Sequence, residues 1–178
     1  MKLRNQKSLV ELAVESIPQN FDFSKVFSSS DDLEGREIST KYGINFHLRS
    51  DFASSSSATA NDVLSEIINS DGMKAMKSTD VIVYLQPTSP RRSENHVREA
   101  ITIFEENGFK PLISVCSKEI IFEKLLIKSN EGLLPIGDEK NTSSNFQNWS
   151  NRPTYLLPNG AIYIFTLQDF LKKQAVPI

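Results

Sequence analysis

The segment "DVIVYLQPTSPRR" joins an apolar run, Val81 to Leu85, to a polar loop of Gln86, Pro87, Thr88, Ser89, Pro90, Arg91 and Arg92. An amide, two hydroxyls and two guanidinium groups stand there, the hydroxyls between Pro87 and Pro90. Such groups hydrogen-bond a polyhydroxyl or heterocyclic ligand, and the arginines suit phosphate. The loop also reads as a rigid turn stabilised by Thr88 or Ser89. Other polar clusters follow other apolar runs. Ser28, Ser29, Ser30, Asp31 and Asp32 follow "FDFSKVF", and Arg49 and "SDFASSSSATA" follow "INFHL". The serine–aspartate cluster is a binding loop or a helix start, with Ser30 or Asp31 capping and Asp32 and Glu34 suiting the helix dipole. Arg49 is a ligand contact or a surface charge. His47 and His96 read as surface or helix-start residues, and Cys116 as an inert core thiol. No nucleophile–base pair stands out, and no glycine-rich phosphate loop is present.

These loops need a scaffold that gathers strand ends, and the sequence provides alternating helices and strands. "QKSLVELAVESI" carries Leu9, Leu12 and Ala13 on one helical face, and Pro18 ends the pattern. "FDFSKVF" predicts a short strand. "DDLEGREISTKYG" predicts a helix with Gly43 at its C-cap, although Gly35 weakens it. "INFHLR" alternates as a strand. "SATANDVLSEIINS" places Val63, Leu64, Ile67 and Ile68 in an apolar stripe. "SENHVREAITIFEENG" predicts a helix capped by Ser93, with Val97, Ala100, Ile101 and Phe104 inward. "PLISVCS" and "NGAIYIFT" predict strands, and "LQDFLKK" a last short helix. Strands alternating with helices imply βαβ units and a largely parallel sheet, with "VIVYL" buried on both faces. In such sheets ligands bind beyond the carboxyl ends of the strands. Residues 120–157 break the alternation and read as a hairpin or arm.

Composition narrows the class. The 178 residues suit one domain, with hydrophobic content of 39% and charged content of 24%. A net charge of -2 points to neither nucleic acid nor a membrane surface as partner. No apolar run reaches the length of a membrane span, and the N-terminus lacks the core of a signal peptide. One cysteine suits a reducing cytoplasm.

"YLQPTSPRR" together with "LPNGAIYIF" resembles the acylneuraminate cytidylyltransferase (CMP-N-acetylneuraminic acid synthetase) family. "KSLVELAVESI", "SSDDLEGREISTKYGINFHLR" and "DFASSSSATANDVLSEII" resemble further family segments in the family's order. The resemblance implies an α/β fold with a three-layer, mostly parallel sheet of the Rossmann-like nucleotide-diphospho-sugar transferase type. It implies CMP transfer from CTP to a nonulosonic acid, with Mg²⁺ and release of pyrophosphate, in a homodimer formed through the arm at about 120–157. Arg49, Ser57 and Thr59 would then line the nucleotide side. Gln86, Thr88, Asn159 and Tyr163 would line the sugar-acid side.

The chain also departs from the family pattern. The family's opening strand and phosphate loop would lie before Met1, and its metal-binding carboxylates after Ile178. A family arginine in the arm falls near Asn148 and Trp149, with Arg152 off register. The absent strand would sit between "FDFSKVF" and "DVIVYL", leaving two edges without a neighbour. On these grounds the chain alone is expected to have little or no transferase activity. A non-catalytic sugar-acid-binding protein is the alternative.

Overall fold

Ser8 starts the first helix by a reciprocal cap: its hydroxyl accepts from Glu11 N–H, and the Glu11 carboxylate accepts from Ser8 N–H. The computed structural model describes residues 2–3, 7–118, 126–129, 132–135, 155–173 and 175–176. Two short strands, β1 (Lys2–Leu3) and β2 (Lys7–Ser8), pair antiparallel ahead of α1 (Leu9–Glu15).

"FDFSKVF" does not form the expected strand. Asp22 accepts from Ser24 N–H and closes a 3-10 turn, Phe23–Lys25, so the strand begins later, as β3 (Phe27–Ser30). A local side-chain cap outcompetes the weak strand preference of this stretch. Ser28, Ser29 and Ser30, expected in a loop or helix start, are therefore in the strand itself. Helix α2 (Leu33–Tyr42) is capped by Asp32, not by Ser30 or Asp31; the Ser30 hydroxyl instead accepts from Asp32 N–H. Gly43 ends the helix as expected, in the left-handed conformation. Gly35 has a packing role that its helix propensity hides. A β-carbon there would lie 2.8 Å from Ser30 Cβ and 3.3 Å from the Phe46 ring, so glycine lets α2 sit close on the strands below. Strand β4 (Asn45–Leu48) pairs parallel with β3, residues Phe27 to Ser30 opposite Asn45 to Leu48.

Helix α3 (Ala60–Ile68) leads through a 3-10 turn, Asp71–Met73, to β5 (Val81–Tyr84). Then come α4 (Glu94–Glu106), β6 (Leu112–Lys118), β7 (Leu126–Ser129), β8 (Gly132–Pro135), β9 (Tyr155–Thr166) and α5 (Leu167–Lys173). One sheet has the order β5-β9-β6, and β5 runs antiparallel to β9 from Val81↔Thr166 to Tyr84↔Tyr163. The sheet is thus partly antiparallel. The parallel expectation rested on the alternation of helices and strands, which β9 breaks by following the β7–β8 hairpin segment, and on continuous apolar runs, which report burial on both faces and leave direction open.

That double coverage is present. Val83 and Leu85 of the β5 segment and Ile162 and Ile164 of β9 pack against Val97, Ala100 and Phe104 of α4. The alternate residues, Ile82, Tyr84, Tyr163 and Phe165, pack with Leu64 of α3 and Phe170 of α5. The sheet therefore lies between two helical layers, with its side chains alternating between them. Val81, at the start of β5, is exposed, so the strand is less buried than its sequence implies.

The chain divides into two compact units, Met1–Ser114 with Gly160–Ile178, and Val115–Asn159. In the second, β7 and β8 form an antiparallel hairpin that exposes Leu126, Ile127, Leu133 and Leu134. Residues 119–125 and 136–154, which hold most of the expected arm with Asn148, Trp149 and Arg152, lie outside the described residues. β3 and β5 are in separate sheets.

Candidate functional site

The carboxyl end of β5 delivers Gln86 two residues beyond Tyr84, the last residue to pair with β9. Continuing the register would set Gln86 opposite Ala161. A buried guanidinium stands there instead. Arg92 Nη1 donates to the Gln86 carbonyl at 2.8 Å and to the Ala161 carbonyl at 2.7 Å. Its Nε donates to the Ser16 hydroxyl at 2.9 Å, and Ser16 donates onward to the Ala13 carbonyl. Arg92 is only 9% exposed, and its Nη2 is buried with no hydrogen-bond partner among the described residues. Burial alone lowers its pKa to about 10, so it remains a cation at neutral pH. The expectation that both loop arginines suit phosphate is therefore corrected for Arg92, whose donors are turned inward; Arg91 is exposed.

The Gln86 side chain lies over Gly160, where φ is +73° and a β-carbon would fall 2.6 Å from Oε1. Tyr163 stands one register step away, its ring 5.8 Å from that of Tyr84. Thr88 is exposed beyond the loop's first proline. Asn159 is an exposed residue of β9 within the second compact unit.

A second cluster forms at the ends of β3 and β4. Arg49 Nε donates to the Ser29 hydroxyl at 3.1 Å, and Nη2 donates to the Ser29 carbonyl at 2.8 Å. The Ser29 hydroxyl also meets His47 Nδ1 at 3.1 Å, and His47 Nε2 lies 3.5 Å from a Glu66 carboxylate oxygen. The His47 side chain is 12% exposed, so it is no surface residue as its sequence context implied. Glu66 accepts from both the hydroxyl and the N–H of Ser50. Those bonds, the hydroxyl first, hold its carboxyl below the usual range, aided by His47 and Arg49. Thr59 caps α3 in a reciprocal pair with Asp62, using its hydroxyl both as donor and as acceptor. Ser57 is exposed, its hydroxyl 3.2 Å from that of Ser55. His96 has the expected helix-start role, accepting from Ser93 N–H.

Open recesses lie elsewhere. One of about 360 Å³ is lined by Val14, Glu15, Ile17, Gln19, Phe23 and Tyr42, and one of about 300 Å³ by residues that include Asn61, Ser65 and Phe170. Neither is lined by a predicted site residue. In the first, Tyr42 donates to Glu15 at 2.8 Å, and burial followed by that bond raises the phenol to about 12. The strand ends carry the convergent polar groups, so the candidate site is placed there.

Comparison with known proteins finds distant relatives. The chain is 26% identical over 166 residues to the N-acylneuraminate cytidylyltransferase of Streptococcus agalactiae, covering 93% of this chain and 38% of that protein. It is 28% identical over 148 residues to N-acylneuraminate cytidylyltransferase B of Danio rerio, covering 82% and 33%. It is 25% identical over 176 residues to the pseudaminic acid cytidylyltransferase of Campylobacter jejuni, covering 96% and 72%. No family model matches. The chain is a distant relative of these cytidylyltransferases. It spans little more than a third of the length of the S. agalactiae protein.

Within that relationship the predicted set separates into groups. Gln86 lies two residues beyond Tyr84, the register partner of Tyr163, at the β5–β9 end, where Arg92 and Gly160 stand against Gln86. Arg49 is bonded to β3, and Thr59 to its own helix. The burial of Arg92 was hidden because adjacent arginines in a loop look alike; the apolar "VIVYL" and "AIYIF" flanks were the available hint. Ser29 and His47 are opposite in the β3–β4 register, which a shifted strand start concealed. Among the described residues no three His, Cys, Asp or Glu side chains gather so as to hold a metal ion.

Proposed function

We propose that this chain performs the sugar-acid recognition of a CMP-sugar synthetase, and that its chemistry is cytidylyl transfer from CTP to a nonulosonic acid. In that reaction the anomeric hydroxyl attacks the α-phosphorus, the bond to the β-phosphate oxygen breaks, pyrophosphate leaves and the hydroxyl proton passes to a base. The side chains here act by position and hydrogen bonding. Gln86 offers an amide donor and acceptor to the acid's hydroxyls and carboxylate, with Thr88, Asn159 and Tyr163 as further contacts. Arg49, Ser57 and Thr59 stand on the nucleotide side. The carrying observation is the Gln86 loop, held in shape by a buried arginine in a chain related to enzymes of this name. The exposed leucines of the β7–β8 hairpin support a homodimer through that arm. No step is assigned to a metal, since the described residues gather no ligand set.

A binding-only reading is favoured by one observation: Ser29 already uses two of the Arg49 nitrogens. Calorimetry with N-acetylneuraminic acid and with CTP, beside a pyrophosphate-release assay with Mg²⁺, separates the two. Binding of both with release supports transfer. Sugar-acid binding without CTP binding or release supports the binding-only reading. Binding of neither sugar acid nor CTP contradicts both.

A further inference from the structure

The β5–β9 ladder stops at Tyr84↔Tyr163, although β9 continues towards Tyr155. Ladder bonds normally satisfy backbone carbonyls at the next positions. Here the carbonyls of Gln86 and Ala161 are both satisfied by one nitrogen of Arg92. The guanidinium is inserted where the next register pair would close. It is anchored from behind by Ser16 at the end of α1, and its hydrogen-bond partners among the described residues are all neutral. An apolar side chain of similar volume would take this donor from both carbonyls, which is costly in a buried place. A planar cation with several fixed donors meets the need.

We propose that Arg92 and Gly160 are positioning residues that open the strands at the end of β5 and set the Gln86 amide before a ligand arrives. Arg92 acts on the backbone of Gln86, and Gly160 on its side chain. At φ +73° Gly160 keeps β9 in a conformation that other residues adopt only with strain, and its missing β-carbon leaves the space that Gln86 Oε1 occupies. A preset amide binds more tightly because less ordering remains for the ligand to impose. The sugar-acid consequence rests on the proposed reading of Gln86; the positioning itself does not.

The test is a thermal-unfolding cycle with Gly160→Ala and Gln86→Ala, run beside titration with N-acetylneuraminic acid. Gly160→Ala should lower the melting temperature less in the Gln86→Ala background than in the wild type, because the side chain it collides with is gone. Equal drops in the two backgrounds would overturn the contact. Gly160→Ala and Arg92→Lys should each weaken sugar-acid binding by about tenfold and shift the Gln86 side-chain amide signal in ¹⁵N NMR. Gly160→Ala should add no further weakening to Gln86→Ala. A folded Arg92→Lys protein with an unmoved Gln86 amide would refute the positioning role of Arg92. Absence of sugar-acid binding by the wild type would remove the functional reading, while the thermal cycle and the amide signal would still decide the positioning.

Discussion

Arg49 and Arg92 each follow a strand, and each bonds a neighbouring carbonyl, yet they do different work. Arg92 is buried and bridges two carbonyls of separate segments, with Ser16 behind it. Arg49 is half-buried and holds a single residue, Ser29, beside His47 and Glu66. The first arrangement fixes backbone; the second links side chains that titrate or rotate. Burial and the number of segments joined, and not residue type, separate the two roles. Helix α1 touches both sides, through Ser16 towards Arg92 and through Glu11 towards Lys41 of α2.

The largest effect should come from cutting the Arg92 bridge. Arg92→Met removes three hydrogen bonds and leaves the Gln86 and Ala161 carbonyls without that donor. A loss of about 3 kcal/mol is expected in urea unfolding. A loss below about 1 kcal/mol would place Arg92 in the same class as Arg49. Gly35→Ala comes next, since its β-carbon would meet Ser30 Cβ at 2.8 Å with α2 backbone behind it. About 2 kcal/mol of destabilisation should appear in thermal unfolding, and sugar-acid binding should be unaffected, because the strain lies on the β3–β4 side. Full stability of that variant would mean that α2 sits farther from β3 than the structure places it.

The same contrast explains what the sequence made legible. Helices α3 and α4 and the strand-ending loop at Gln86 were readable, because a local apolar period and stiff prolines specify them. The 3-10 turn at Phe23–Lys25 was not, since one aspartate cap decided it against a weak strand pattern. The direction of β9 was not, because double coverage leaves direction open. Gln86 was found by its loop and its resemblance. Arg92 lies in the same loop, yet its inward turn is not legible there, because burial of a cation depends on segments far apart in sequence, Ser16 and Ala161. Ser29, His47 and Glu66 meet only through the parallel β3–β4 pairing and the packing of α3.

Smaller perturbations sharpen the second region. Ser29→Ala removes the acceptor of Arg49 Nε and the partner of His47, and should cost about 1 kcal/mol. It should alter CTP affinity and leave sugar-acid affinity unchanged; the reverse pattern would interchange the two proposed sides. The smallest effect is one of pH. The Lys41 ammonium, with help from Ser8 N–H, depresses the Glu11 carboxyl from its ordinary 4.5 to about 2. A depressed folded pKa contributes stability that is complete above about 4.5 and is lost as pH falls towards 2. Lys41 is largely exposed, so solvent screens the pair. Glu11→Gln should lower stability slightly at neutral pH and flatten the stability curve in that acid window. An unchanged acid slope would show that α1 and α2 are joined by packing alone.

The central claim is that the Gln86 loop is a sugar-acid site held ready by the fold. Isothermal titration of the wild type and of Gln86→Ala with N-acetylneuraminic acid tests it most directly. The wild type should bind saturably and Gln86→Ala at least about tenfold more weakly, with both proteins unfolding at similar temperatures. Equal affinity in the two proteins, or no binding by a folded wild type, would contradict it.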